Sequence, residues 1–154
     1  MHLPVLDVKG RVTPEDSKTH IRIPFQIDQD CSLLQVRFEY APKVLEDRDR
    51  SLMLLTQSFE TYLLPEQRER ALNQVDSYFP LNNLITLSLD DPNGYRGACH
   101  RHDASLELQL SAEQASPGLM PGRLPAGDWQ VTLSIHCIVM DSCEYRLQIG
   151  VERS

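Results

Sequence analysis

Residues 129–151 read WQVTLSIHCIVMDSCEYRLQIGV, and their spacing decides the fold class. Trp129, Val131, Leu133, Ile135 and Cys137 share one parity. After the turn residues Met140–Ser142, Tyr145, Leu147, Ile149 and Val151 repeat the pattern. Successive strand side chains point to opposite faces, so such alternation predicts strands that bury one side only. This parity sets Trp129, Cys137 and Cys143 inward, the cysteines as small buried thiols rather than a disulfide. His136 falls on the outer face with Gln130, Thr132 and Ser134.

The same period recurs upstream. Ile21, Ile23, Phe25 and Ile27 show it, as do Leu34, Val36, Phe38 and Tyr40. Ile85, Leu87 and Leu89 follow, then Leu106, Leu108 and Leu110. Turn chemistry separates the segments: DDPNG at 90–94 and a Pro/Gly-rich stretch at 117–127. Together these predict an all-β, antiparallel β-sandwich of jelly-roll type, a single domain over 1–154. One insertion, at about 46–80, changes period. Leu52, Leu55, Phe59 and Tyr62 are spaced for one helical stripe, and a second helix is expected from Pro65, carrying Leu72, Val75 and Phe79. Glu66 and Arg70 stand four residues apart, as a helical ion pair would. Such helices cap an open end of the sandwich, cover a cleft or form a dimer surface; capping is the simplest expectation.

The chain has 154 residues, 15 basic and 22 acidic, for a net charge of −7. With no run of Lys or Arg, that balance argues against nucleic acid and anionic membrane as partners. The N-terminus lacks the charged and apolar regions of a signal peptide, and the four cysteines form no CxxC pair, so a reduced, cytoplasmic protein is expected.

Two stretches carry a family resemblance: LITLSLDDPNGYRGACHR at 84–101 and ASPGLMPGRLPAGDWQVTLSIHCIV at 115–139. A strand ending in D-P-x-G, then Y-R-G-x-x-H-R, then P-G-x-x-P-G-x-L-P-x-G-x-W, resembles the N-terminal sandwich module of bacterial PHP-type metallohydrolases of the CehA/McbA group. The strand LLQVRFEYAP at 33–42 resembles that module's second strand. The likeness covers roughly 21–42 and 82–151. In that family a following domain, opening with an Asp-x-His-x-His metal motif, performs the hydrolysis. The chain here ends at Ser154 after its last strand. The resemblance therefore implies a non-catalytic accessory module that binds a separate hydrolase domain or a small anionic ligand.

Candidate site residues cluster in GYRGACHRHDASLE, from Gly94 to Glu107. Arg96, His100 and His136, with His102 at the edge, could hold a carboxylate or phosphate if the segment folds over the outer face of the 129–139 strand. An alternative comes from Gly94, His100, His102 and Glu107, whose spacing is similar to the first cupin motif, G-x5-H-x-H-x4-E. His100, His102 and Glu107 would then bind one divalent transition metal, Fe, Mn or Zn, in a small metalloenzyme. Two departures weaken that alternative: Gln130 stands where the second cupin motif has its His, and Gln114 where the first has Gly. The leading expectation is no cofactor and no catalysis, with oligomerisation possible through the helical insertion.

Overall fold

The computed structural model describes residues 2–154. The protein is mostly β: two antiparallel four-stranded sheets packed together, plus a two-helix segment. The first sheet contains β1 (Leu3–Val12), β3 (Cys31–Ala41), β8 (Ser105–Ser111) and β10 (Cys143–Arg153), in the order β1-β10-β3-β8. The second contains β2 (Thr19–Ile27), β6 (Leu84–Asp91), β7 (Gly94–Cys99) and β9 (Gly127–Cys137), in the order β2-β9-β6-β7. A short pair, β4 (Val44–Leu45) and β5 (Leu81–Asn82), brackets helices α1 (Arg48–Tyr62) and α2 (Pro65–Asn73).

The alternating residues meet between the sheets as the period demands. Trp129, Val131, Leu133 and Ile135 of β9 are buried against Leu147, Ile149 and Val151 of β10 and Leu34, Val36 and Phe38 of β3, in one cluster. β1 breaks the alternation at an irregularity between Pro4 and Leu6, and its inward position 10 carries only a glycine. There Gly10 lies opposite Tyr145, whose ring fills the space of a side chain: a Cβ on Gly10 would sit 2.3 Å from it. Sequence parity fails at one point of β9. Leu84 pairs with Cys137 but Ile85 with Ile135, so His136 is an extra, bulged residue. The bulge resets the alternation. Cys137 is exposed, contrary to expectation, and Ile138 enters the core in its place, while Cys143 is buried. The four cysteines are free thiols.

The helices start where the sequence placed them. Asp47 caps α1 by accepting from the Arg50 amide at 3.0 Å, and Pro65 opens α2. The buried face differs from the expected stripe. Ser51, Leu55 and Phe59 face inward, while Leu52 and Tyr62 are exposed. Ser51 can be buried because its hydroxyl donates to the Asp47 carbonyl at 2.8 Å, a local bond that hides its polarity. On α2, Ala71 is buried, Leu72 is exposed, and Val75 and Phe79 are partly buried beyond the helix end. No ion pair joins Glu66 to Arg70 among the described residues; instead Arg68 closes α1, donating to the carbonyls of Leu63 at 2.9 Å and Glu60 at 2.9 Å. Leu55, Phe59 and Ala71 form a small cluster of their own, separate from the sandwich core. The hairpin therefore buries its stripe against itself rather than plugging the sandwich.

Asn83, fully buried, holds the base of this excursion. Its Nδ2 donates to Pro42 O at 2.7 Å, its Oδ1 accepts from the Val139 amide at 2.7 Å, and its own amide donates to Lys43 O at 2.8 Å. One side chain thus ties both stems of the helical segment to the end of β9.

Candidate functional site

Arg96 stands in the middle of β7 and is buried, as is its partner Asp91, each side chain 8% exposed. A guanidinium has five N–H donors, and here every one is engaged. Nη1 reaches Asp91 Oδ2 at 2.9 Å and Arg123 O at 2.8 Å. Nη2 reaches Met120 O at 3.0 Å and Gly122 O at 3.1 Å, and Nε reaches Met120 O at 3.1 Å. The guanidinium carbon lies 5.7 Å from the centre of the Trp129 ring. Asp91 is equally committed, its other oxygen accepting from the amides of Asn93 and Gly94 at 2.6 and 2.9 Å. Arg96 therefore has no donor left for an anion. It fastens the β8–β9 connection, the Pro/Gly stretch, onto β7.

Close backbone approach completes this clamp. Gly97 and Gly118 both have positive φ, and a Cβ on Gly97 would lie 2.2 Å from the Gly118 carbonyl oxygen. Trp129 Nε1 donates to Pro125 O at 2.9 Å, and its ring stacks on Phe25 at 6.1 Å. Trp129 is thus a core anchor. The motif residues Asp91, Arg96, Gly97, Gly118 and Trp129 meet around one loop, and their common task is architectural.

The histidines lie elsewhere. His136 is on the outer face of the second sheet, where Nε2 meets Thr86 Oγ1 at 2.7 Å. On the same face His20, which the motif reading missed, pairs through Nδ1 with Ser134 Oγ at 3.0 Å. Its only sequence signal was the outward parity of β2. His100 and His102 are exposed in the β7–β8 connection, beside the Arg101–Asp103 ion pair of 2.9 Å. Cys99 pairs with Leu87, so one more step of that ladder would bring residue 100 level with Thr86. On that register His100 would follow the edge of the face that carries His136, one residue beyond Cys99 and close to the Pro/Gly loop, where the Ala98 amide donates to Gly118 O at 3.1 Å.

Glu107 departs from both. It projects from β8 on the outer face of the first sheet and accepts from Arg37 across the strands at 2.8 Å. Among the described residues no group of three or more His, Cys, Asp or Glu is arranged to hold a metal ion. His100, His102 and Glu107 are thus not gathered into one such group among the described residues.

A concave surface that the sequence did not reveal runs over the first sheet. A hollow of about 330 Å³ is lined by Asp7, Gln35, Arg37, Glu107, Gln109 and Gln148, with Gly150 leaving bare backbone among them. A second hollow, about 740 Å³, lies toward the other end and includes Arg11, Glu39, Glu144 and Arg146. Cross-strand ion pairs neutralise most of this charge: Arg146 grips Asp7 with two bonds of 3.0 and 2.8 Å, and Arg11 stands 3.5 Å from Glu144. The Arg146 hydrogen bonds hold the Asp7 carboxyl below its usual range. The result is a broad, hydrogen-bonding, charge-compensated face. No family model matches the chain, and no curated protein matches its sequence.

Proposed function

We propose that the protein is a non-catalytic binding module of jelly-roll type, comparable to the accessory domain of PHP-type metallohydrolases, that holds a separate hydrolase domain or a small anionic ligand. The strand orders β1-β10-β3-β8 and β2-β9-β6-β7 support the jelly-roll reading. One observation carries the functional part: all five donors of Arg96 are engaged within the fold. The residues that resemble the accessory module thus act in its architecture, and that role needs no catalytic partner domain. An anion would be left to His100 and His136 on the second sheet, with His102 at the rim.

Two measurements on the purified chain test this. Bis(p-nitrophenyl) phosphate with Mn²⁺ or Zn²⁺ is expected to show no turnover, and inorganic phosphate to shift amide resonances around residues 100–102 and 136. Turnover abolished by His100→Ala would overturn the reading. So would stoichiometric Fe, Mn or Zn lost on His102→Ala, which would instead restore a metalloenzyme.

A further inference from the structure

We infer that the outer surface of the α1–α2 hairpin is a docking site for a basic, amphipathic segment of a partner protein. Eight large apolar side chains are exposed among the described residues, and six of them lie in this one segment: Leu52, Met53, Tyr62, Leu64, Leu72 and Tyr78. Tyr62 and Leu64 are 71% and 63% exposed. Scattered single apolar residues need no explanation, but their concentration on one excursion does. The hairpin's own packing accounts for Tyr78, which meets Phe59 edge-on at 5.5 Å. Its cluster otherwise uses Leu55 and Ala71, so Leu52, Met53, Leu64 and Leu72 stay outside it.

Charge selects the occupant. Arg48 and Arg50 are paired with Asp76 and Asp141, and Arg68 is bound to α1 carbonyls. Asp49, Glu60, Glu66 and Glu69 form no ion pair among the described residues, and Arg70 is the remaining cation on the helices. A partner therefore meets exposed apolar side chains among four helix carboxylates and one helix guanidinium, with the Lys18 ammonium 5.6 Å from the Tyr62 ring at one end. A second copy would bring the same acidic excess, on a chain of net charge −7, against itself. An anionic membrane surface or nucleic acid is repelled for the same reason. A helix with an apolar stripe flanked by Lys or Arg satisfies both features.

The probe is a fluorescent amphipathic helix built of Leu and Lys, compared with its Leu/Glu counterpart by anisotropy at low and high salt. The Leu/Lys helix is expected to bind, and added salt to weaken it. Leu52→Ser, Met53→Ser and Leu72→Ser together are expected to weaken it by about tenfold or more. These residues are exposed, so the melting temperature should hold. Glu66→Lys with Glu69→Lys should weaken binding several-fold, whereas Glu39→Lys with Glu113→Lys, the same charge change elsewhere, should do far less. Three results would overturn the inference. These are equal binding of the Leu/Glu helix, hairpin variants that bind like wild type, and a wild-type dimer in sedimentation that the serine changes dissociate. The last would assign the surface to a second copy.

Discussion

Two long excursions leave the sandwich at opposite ends, and they are held in opposite ways. The β8–β9 connection has no apolar cluster of its own; Leu119 and Leu124 belong to the main core, and Arg96 binds its backbone at Met120, Gly122 and Arg123. The helical excursion between β4 and β5 has its own cluster and is tied at its base, through Asn83, and by single contacts such as Arg50 to Asp141. The first is part of the fold's closure. The second is a small appended unit with a surface to offer. The difference implies that damage to the loop spreads through the protein, whereas damage to the hairpin stays local.

The sharpest way to break this comparison is Arg96→Met. It leaves Asp91 buried and short of its ion pair and strips three loop carbonyls of a donor. Removing one partner of a buried pair costs about 3–5 kcal/mol. The expected outcome is a single unfolding transition at much lower denaturant, with strand and loop probes falling together. If the loop alone became exchange-labile while the strands kept wild-type protection, it would be as separable as the hairpin, and the contrast would fail.

Phe59→Ala is the matching test at the other end. Phe59 is buried and meets Tyr78 edge-on at 5.5 Å. Its truncation should cost about 3 kcal/mol, the lower end for an aromatic core residue, because the cluster is small. That loss should fall on the hairpin. Amide exchange should accelerate through α1 and α2 while β3, β9 and β10 stay protected. Loss of strand protection in step with the helices would show that the helical unit is integral to the sandwich.

The same contrast explains what could be read from the residues beforehand. Strands with strict alternation, such as Trp129 to Ile135 and Leu34 to Tyr40, announce themselves because a side chain every second residue must enter the core. β1 and β7 do not, since Gly10 yields its inward place to Tyr145 and Gly97 lets another backbone approach. The His136 bulge inverts the parity of Cys137, and a register shift leaves no mark in composition. The helical stripe keeps Leu55 and Phe59 but exchanges Leu52 for Ser51, because a hydroxyl bonded to its own turn passes for apolar there. Among the candidate site residues, chemistry was legible but geometry was not. Arg96 has the donors an anion would need, and only the loop carbonyls show where those donors go. His136 meets Thr86 because strand order sets β9 beside β6, which spacing along the chain does not encode. The groove over the first sheet was unreadable, being made by side chains from all four of its strands.

The smallest expected effect concerns how the Pro/Gly loop answers to pH. Asp30 accepts from the Ala126 amide at 2.9 Å and from Arg123 at 2.9 and 2.6 Å. The Ala126 amide first, and then Arg123, hold its carboxyl below the ordinary value of 3.8. A carboxyl whose folded pKa lies below its unfolded pKa binds fewer protons in the native state. Its stabilisation is therefore complete above the unfolded value and disappears as pH falls through the folded one. Asp30→Asn removes the charge at every pH but keeps a side-chain oxygen that can accept from Ala126. Wild type should therefore exceed the variant in stability by a small, constant margin between about pH 5 and 7. The margin should close as the solution is acidified below the ordinary carboxylate range. Asp30 bonds to Arg123 and Ala126 and not to the hairpin, so at each pH the hairpin exchange rates of wild type and variant should stay equal. A margin that persisted at the lowest pH where both proteins fold would mean that shape and the Arg96 clamp, rather than the Asp30 charge, secure that side of the loop.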